Sequence, residues 1–246
     1  MCPAVRGEAG PAAERGVRAW LIQDMTVSYV YHDTVMSIQQ THSRDDVLDV
    51  AEDLLSREGA QGLSVRRIAQ ALGVSRQIVY SRFAGKPDLV RALQHEGFRR
   101  LTGRLTAVEG SPGTTDYLVA MAQAYRDSAN ASPALYEVMF GRPIPEFSPE
   151  TRDREVAAAS FKPVVDACRD WLKAHDQPST DEVSLSLARR VWAATHGVVS
   201  LEIAGLLGDE APPMIQDLVR AALEEWARTK GRAPQPPAQS KTPTAP

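Results

Sequence analysis

The chain has 246 residues, of which 43% are hydrophobic and 24% are charged, and its formal net charge at pH 7 is −3. This is the composition of an ordinary globular protein, which excludes a collagen-like chain and wholesale disorder. The two cysteines, Cys2 and Cys168, are too few for a disulfide scaffold and cannot build a zinc site on their own.

The sequence carries no signal for membrane insertion or export. It lacks the run of about 18 apolar residues that a transmembrane helix needs. An apolar patch after Arg18 is interrupted by Gln23 and Asp24, whereas the apolar region of a secretory signal is uninterrupted. We therefore expect a cytoplasmic protein with no membrane partner.

Residues 1–42 have no clear folded pattern. Gly7, Gly10, Pro11 and Gly16 make the first part loop-like, and regular periodicity begins only after His42. Two interpretations remain open for this N-terminal extension. It is flexible because the assigned start lies upstream of the real one, or it is a genuine arm that adds contacts.

Residues 43–230 repeat apolar side chains with a period near 3.6, and strand signals are too few for a sheet, so we predict an all-α protein. Ser43 is the expected N-cap of the first helix. Further helices are predicted over residues 87–109, 115–131, 133–140, 151–175, 181–207 and 213–229. The tail, residues 231–246, is proline-rich without large apolar side chains, and we expect it to be disordered.

The segment 64–83 has the pattern of a helix-turn-helix. Ser64 and Ser75 are placed to cap two short helices, and Gly73 between them can adopt the positive φ of a sharp turn. The expected inward positions of the two helices are Val65, Ile68, Ala69, Leu72, Val79 and Phe83. Two short helices joined by a glycine-containing turn are typical of DNA-binding proteins.

The charge pattern of the same region favours nucleic acid. Between residues 64 and 87 there are five basic side chains and no acidic one, which the net charge of the whole chain conceals. Arg76 and Gln77 lie in the first turn of the second helix, where a recognition helix meets base edges. Arginine matches guanine and glutamine matches adenine. The competing interpretation is an incidental, solvated basic face.

This region closely resembles the TetR/AcrR family of bacterial transcriptional regulators. The matching residues are the helix 44–57, Ser64-Val65-x-x-Ile68-Ala69-x-x-Leu72-Gly73-Val74-Ser75, Val79-Tyr80-x-x-Phe83 and Lys86-x-x-Leu89. The resemblance implies a three-helix DNA-binding domain at residues 43–90, followed by a larger helical domain at 91–230. That second domain would dimerise and bind a small effector.

Residue roles follow from the resemblance position by position. Ser64, Ser75 and Lys86 should hold phosphates and Tyr80 should touch the DNA backbone, while Arg76 and Gln77 should face bases. Arg82 stands where many members have histidine or asparagine, and could still grip a phosphate. With Arg66 from the basic run, the candidate DNA-binding residues are Ser64, Arg66, Ser75, Arg76, Gln77, Tyr80, Arg82 and Lys86.

Residues 191–205 resemble a subgroup of these regulators whose C-terminal domain is named for a Trp-His-Gly motif, here Trp192, His196 and Gly197. The family forms its dimer from the last two helices. We expect Gly197 and Gly205 to lie inside a helix, where each costs about 1 kcal/mol that close approach of another helix would offset. The candidate interface residues are Gly197, Leu201, Gly205, Leu218, Ala222 and Trp226.

The effector is expected to be a small apolar or neutral molecule. The candidate pocket residues come from the aromatic and Met-rich helices, although each would also suit a hydrophobic core. His196 has two interpretations, a hydrogen-bonded core residue or a group that contacts effector or senses pH. The candidates are Met121, Tyr125, Tyr136, Met139, Phe140, Phe161, Trp171, Trp192 and His196.

The chain lacks catalytic and nucleotide-binding motifs, and its histidines are widely separated, so we expect neither an enzyme nor a metal or cofactor site. The predicted function is a homodimeric repressor that an effector releases from a pseudo-palindromic operator of double-stranded DNA. A TetR-like activator and a regulator without effector remain alternatives. From another class, so does a helical interaction protein without specific DNA binding.

Overall fold

A computed structural model describes residues 42–141, 144 and 147–229. The described residues form nine α-helices and contain no strand, which confirms the all-α prediction. The predictions for the N-terminal extension (except His42) and for the proline-rich tail lie outside the described residues. The helices are α1 (Arg44–Glu58), α2 (Val65–Leu72), α3 (Arg76–Arg82), α4 (Lys86–Thr106), α5 (Thr115–Ala131), α6 (Pro133–Phe140), α7 (Thr151–Ala174), α8 (Asp181–Ile203) and α9 (Ala211–Thr229).

The helices begin where the sequence offers caps. Ser43 accepts a hydrogen bond from the backbone N–H of Asp46, whose carboxylate accepts one from the N–H of Ser43. Thr114 and Thr180 cap α5 and α8 through their hydroxyls. Ser132 caps α6, and Pro133 occupies its first position, where the missing N–H has no intrahelical partner to lose.

The prediction of one helix over 181–207, with Gly205 inside it, is wrong. Helix α8 ends at Ile203, and Gly205 has a φ of 74°. The N–H of Leu206 bonds to the carbonyl of Leu201 at 2.9 Å, and the N–H of Gly205 to that of Glu202 at 2.8 Å. This is a Schellman motif, so Gly205 stops the helix and is not a site of close helix approach.

Two hydrophobic cores share helix α4. The first contains side chains of α1, α2, α3 and the N-terminal part of α4, and the second contains the remaining helices. The first core also takes in Leu135, Val138, Ile144 and Phe147, which lie far beyond residue 90. Side chains from both predicted domains therefore complete the smaller core.

The turn between α2 and α3 depends on Gly73. Its φ and ψ are 68° and 27°, and the N–H groups of Gly73 and Val74 bond back to the carbonyls of Gln70 and Ala69. A Cβ at this position would meet nothing within 4 Å. The requirement for glycine is therefore the left-handed backbone and not lack of space.

No described helix is long and apolar enough to cross a membrane.

Replacing Gly73 with alanine should lower the free energy of unfolding by about 1–2 kcal/mol, because an L-residue is strained in this conformation. Gly103 provides a matched control. It lies in the exposed interior of α4 with open space around it, so Gly103→Ala should stabilise by about 0.5–1 kcal/mol. Urea unfolding at one protein concentration measures both. Equal stability of the wild type and Gly73→Ala would contradict the left-handed turn.

Candidate DNA-binding surface and ligand cavity

Helix α3 presents the predicted base-facing residues on its outer side. Val79 and Phe83 are buried against the first core, whereas Arg76 and Gln77 are exposed and the Tyr80 side chain is 50% exposed. The helix is therefore anchored on one face and open on the other.

The two predicted serine caps differ in their hydrogen bonding. The hydroxyl of Ser64 accepts from the N–H of Arg67 at 3.3 Å, which caps α2. Ser75 occupies the N-cap position of α3 in an extended conformation, but its side chain makes no capping hydrogen bond. Ser75 directly precedes the exposed start of α3, whereas Ser64 lies at the other end of α2 from the turn.

The five basic residues of this region are not equivalent. The guanidinium of Arg67 pairs with the carboxylate of Glu58 on α1 at 2.5 Å. Arg82 is half-buried and donates from Nε to the carbonyl of His42 at 3.3 Å. Within the described part of the chain, Arg66 and Arg76 are exposed without an ion-pair partner. Lys86 is the first, half-buried residue of α4.

Arg44 fixes the end of α3 to the start of α1. Its Nη1 donates to the carbonyl of Arg82 at 2.9 Å, and its Cζ lies 4.2 Å from the centroid of the Phe83 ring. A guanidinium that both hydrogen-bonds a helix end and stacks on an aromatic face restricts how that helix can tilt. Sequence reasoning missed this residue because its partners lie about 40 positions away.

The buried carboxylate of Asp153 joins α4 to the N-terminus of α7. Its Oδ1 lies 2.8 Å from Nε2 of His95, and its Oδ2 accepts from Nε of Arg91 at 3.2 Å and from the N–H of Glu150 at 2.8 Å. Burial alone would raise the pKa of Asp153. The hydrogen bonds from Glu150, His95 and Arg91 outweigh burial and hold that pKa below its ordinary value.

An apolar cavity of about 310 Å³ lies between α4, α5, α6, α7 and α8. This volume is at the lower end of the range of small-molecule sites, roughly 300–1,000 Å³. The predicted residues that line it are Tyr125, Met139, Phe140, Phe161 and Trp192.

Tyr125, Tyr136 and His196 form a hydrogen-bonded cluster beside this cavity. The two phenolic oxygens lie 2.8 and 2.9 Å from Nδ1 of His196, and that of Tyr136 is also 2.9 Å from the hydroxyl of Ser200. Burial lowers the pKa of His196 and raises that of both tyrosines, which favours the neutral forms. A neutral imidazole accepting at Nδ1 fits the interpretation of His196 as a hydrogen-bonded core residue.

Two predicted pocket residues lie elsewhere. Trp171 does not line the cavity; its buried indole donates to the hydroxyl of Thr115 at 3.1 Å and stacks on His175, so its assignment to the pocket is corrected to a core role. Met121 lines a smaller space of about 20 Å³ behind Tyr125. Helical periodicity marks inward side chains but does not tell a cavity wall from a filled core.

The candidate dimer residues separate into exposed and buried groups. Leu201 and Leu218 are 44% and 41% exposed on neighbouring helices α8 and α9, and Gly197 faces open space where a Cβ would meet nothing within 4 Å. Ala222 is half-buried. Trp226 is only 3% exposed and lies beneath the guanidinium of Arg190. Its assignment to the dimer interface is therefore wrong, because its side chain is buried inside the protomer. It belongs to the inward stripe of α9.

Three of the cavity-lining residues that sequence reasoning missed bear on ligand chemistry. Phe98 of α4 and Arg189 of α8 line the 310 Å³ cavity, and Gln94 of α4 lines an adjoining space of about 240 Å³. Phe98 continues the apolar pattern of its helix, which would have revealed burial. Nothing local separates Arg189 from its neighbour Arg190 or marks Gln94 as buried.

Comparison with known proteins assigns the two halves of the chain separately. Residues 47–93 match a model described as bacterial regulatory proteins, tetR family, and residues 118–226 match one described as tetracyclin repressor-like, C-terminal domain. Together the two models match well over half of the chain.

Individual relatives agree with this assignment. An uncharacterized HTH-type transcriptional regulator of Mycobacterium tuberculosis is 28% identical over 171 residues, which are 68% of this chain and 73% of the relative. A Rhodococcus protein of unknown function has a similar structure with a TM-score of 0.63 and 28% identity, over 78% of this chain and 98% of that one. A TetR variant from Acinetobacter baumannii in complex with minocycline shares the fold, with a TM-score of 0.53 and 16% identity over 77% and 99% of the two chains.

Replacing Asp153 with asparagine should lower the free energy of unfolding near pH 7 by about 2 kcal/mol, because charge-assisted hydrogen bonds to Arg91 and His95 are lost. The folded pKa of Asp153 lies below 3.8, so its contribution is fully present above that value and is lost as the pH falls through the lowered pKa. The advantage of the wild type should be similar near pH 7 and 5 and smaller near pH 3.

Urea unfolding at these three pH values measures the effect. Asp166→Asn is the matched control, since this half-exposed carboxylate pairs with Lys162 and Arg169 at the surface and should cost less than about 1 kcal/mol. Equal costs for the two substitutions would contradict a special role of Asp153.

Proposed function

Because this chain belongs to the TetR family of bacterial regulatory proteins, we propose that it is a homodimeric repressor released from a pseudo-palindromic operator by a small-molecule effector. That it is a DNA-binding transcriptional regulator and not an enzyme follows from the family. The oligomeric state, the mode of regulation and the release by effector are the proposal.

The main support for DNA binding by α3 is its exposed N-terminal turn. The exposed side chains of Arg76 and Gln77 make no hydrogen bond or ion pair among the described residues, while the buried Val79 and Phe83 anchor the helix in the first core. A rigid helix with a bidentate donor and an amide at its start can enter a major groove and read base edges. Arg66, Ser64, Ser75, Tyr80, Arg82 and Lys86 surround it as proposed phosphate contacts.

The exposed side of α8 and α9 supports a dimer. Leu201 and Leu218 expose apolar surface on two helices that pack against each other, and Gly197 lets another helix approach closely. A two-fold pair of such helices would place two copies of α3 on one side of the dimer. Half-sites about one helical turn apart, roughly 34–36 Å, match that symmetry.

The 310 Å³ cavity supports the proposal that a small-molecule effector binds in the larger helical domain. Its walls come from α4, whose N-terminal part contributes side chains to the first core, and from α5 to α8. Helix α8 is also one of the two proposed dimer helices. The Acinetobacter protein of the same fold is in complex with minocycline, which is consistent with a small-molecule effector for this chain. We call helices α1 to α3 of each protomer its reading head. An effector acts only if it binds one arrangement of the two reading heads more tightly than the other.

The alternatives are a TetR-like activator and a regulator that needs no effector. A reporter fused to the upstream region of its own gene separates a repressor from an activator, and the operator-release measurement described below bears on the need for an effector. Deletion of the regulator raises expression for a repressor and lowers it for an activator.

Arg76→Ala and Gln77→Ala should each weaken operator binding by about 1–3 kcal/mol and relax the preference for one base pair. Fluorescence anisotropy at fixed salt, with an operator selected from random DNA and its single-base variants, measures both effects. Arg152→Ala on the exposed start of α7 makes the same change of charge and should leave binding nearly unchanged. Unchanged base preference in both variants would overturn the base-reading role.

Leu201→Glu should raise the dimer dissociation constant at least about tenfold, because a charge would be buried at the two-fold contact. Sedimentation velocity over a range of protein concentrations measures the constant. Ala159→Glu adds the same charge at an exposed position of α7 and should leave the dimer intact. A Leu201→Glu protein that remains dimeric, or a wild type that is monomeric at micromolar concentration, would contradict the proposed interface.

A further inference from the structure

The 310 Å³ cavity has an unusual distribution of charge. All of its lining is apolar except for two hydroxyl-bearing side chains, the indole N–H of Trp192 and one charged side chain, Arg189. Both hydroxyls are engaged within the protein. That of Tyr125 bonds to His196 at 2.8 Å, and that of Ser160 donates to the carbonyl of Ala157 at 2.7 Å. Arg189 is therefore the one charged residue that lines the 310 Å³ cavity. The adjoining space is also lined by Arg154 and by Asp153, whose carboxylate is already paired with Arg91 and His95.

Arg189 lacks the carboxylate partner that two other arginines of the larger helical domain have. Arg126 pairs with Glu202, and Arg169 pairs with Asp166 and Asp181. Arg189 is exposed and has no ion-pair partner within the described ranges. An unpaired guanidinium beside an apolar cavity is suited to an anion whose other end is apolar.

A second, independent observation comes from Gln94. Its side chain is only 6% exposed, and its Oε1 has no hydrogen-bond partner among the described residues. Buried polar atoms are nearly always hydrogen-bonded, so an unpartnered one beside a cavity points to a ligand. The adjoining space that Gln94 lines shares Phe98, Met139, Phe140 and Ala157 with the 310 Å³ cavity.

We propose that the cavity binds an elongated amphipathic anion, with its charged group at Arg189, its apolar body along Phe98, Met139 and Phe140, and a second hydrogen-bonding group at Gln94. This inference rests on the proposed function, because it names the chemistry of the effector. The charge departs from the neutral effector that composition alone suggests. The group at Gln94 is a donor or an acceptor, since the amide can present either atom.

The binding experiment uses the full chain and three probes: dodecanoate, dodecanol and ω-hydroxydodecanoate. The two carboxylates are kept below their critical micelle concentrations, and dodecanol is kept below its solubility limit. Isothermal titration calorimetry should give dodecanoate an affinity about three- to tenfold higher than that of dodecanol. The ω-hydroxyl should raise the affinity further. Equal or weaker binding of dodecanoate relative to dodecanol would overturn the anion preference.

Substitutions assign the preference to residues. Arg189→Gln should abolish the advantage of dodecanoate while leaving dodecanol unchanged within about twofold, and Gln94→Leu should abolish the gain from the ω-hydroxyl. Arg152→Gln, the matched control for charge, should behave as wild type. An anion preference that survives in Arg189→Gln, or an ω-hydroxyl gain that survives in Gln94→Leu, would overturn the corresponding contact.

A parallel anisotropy measurement of operator release keeps this inference separate from the proposed function. Dodecanoate that binds through Arg189 but leaves the DNA complex intact contradicts release by effector and supports the chemistry of the cavity. If dodecanol releases the DNA and binds at least as tightly as dodecanoate, regulation by effector is supported and the preference for an anionic ligand is overturned.

Discussion

The carboxylate of Asp153 carries its charge inside the protein, where an unpaired ion would be strongly destabilising. It is tolerated because Arg91 and His95, one helical turn apart on α4, both reach it while the start of α7 donates a backbone N–H. This contact sets the position of α4 relative to α7, and both the DNA-binding helices and the cavity adjoin these two helices. It holds α4, which follows the DNA-binding helices, against α7, which forms one wall of the cavity, and Gln94 is the neighbour of His95 on α4.

Sharing of the smaller core strengthens the same connection. Leu135 and Val138 of α6 pack among residues of α1 to α4, and the hydroxyl of Ser132 donates to Glu52 of α1 at 2.8 Å. The same short helix turns Met139 and Phe140 toward the cavity. A ligand that displaces these two side chains therefore acts on a helix whose opposite face belongs to the core of the reading head. Through this shared helix, a shift at the cavity would be felt in the core behind the DNA-binding helices.

Local signals predicted the fold well. Ser64, Gly73 and the Ser132-Pro133 pair each act within one turn of backbone, so their meaning could be read without knowing the tertiary structure. Gly205 was misassigned because a glycine near a helix end can stop the helix or stay inside it, and only its φ decides. Trp226 sits on an apolar stripe too wide to show which edge faces inward. Arg189 and Gln94 depend on helices distant in sequence, and no local pattern could have assigned them to a cavity wall.

Helix α4 runs unbroken for 21 residues, from Lys86 beside the reading head to Thr106 beyond the cavity. At 1.5 Å per residue it is a rod about 30 Å long. A tilt of about 10° about its cavity end would carry its other end by about 5 Å, given that length. In the proposed dimer each protomer would contribute such a displacement. In the proposed release by effector, the stiffness of this one helix would transmit movement at the cavity to the DNA-binding helices, so the ligand would not need to approach the DNA.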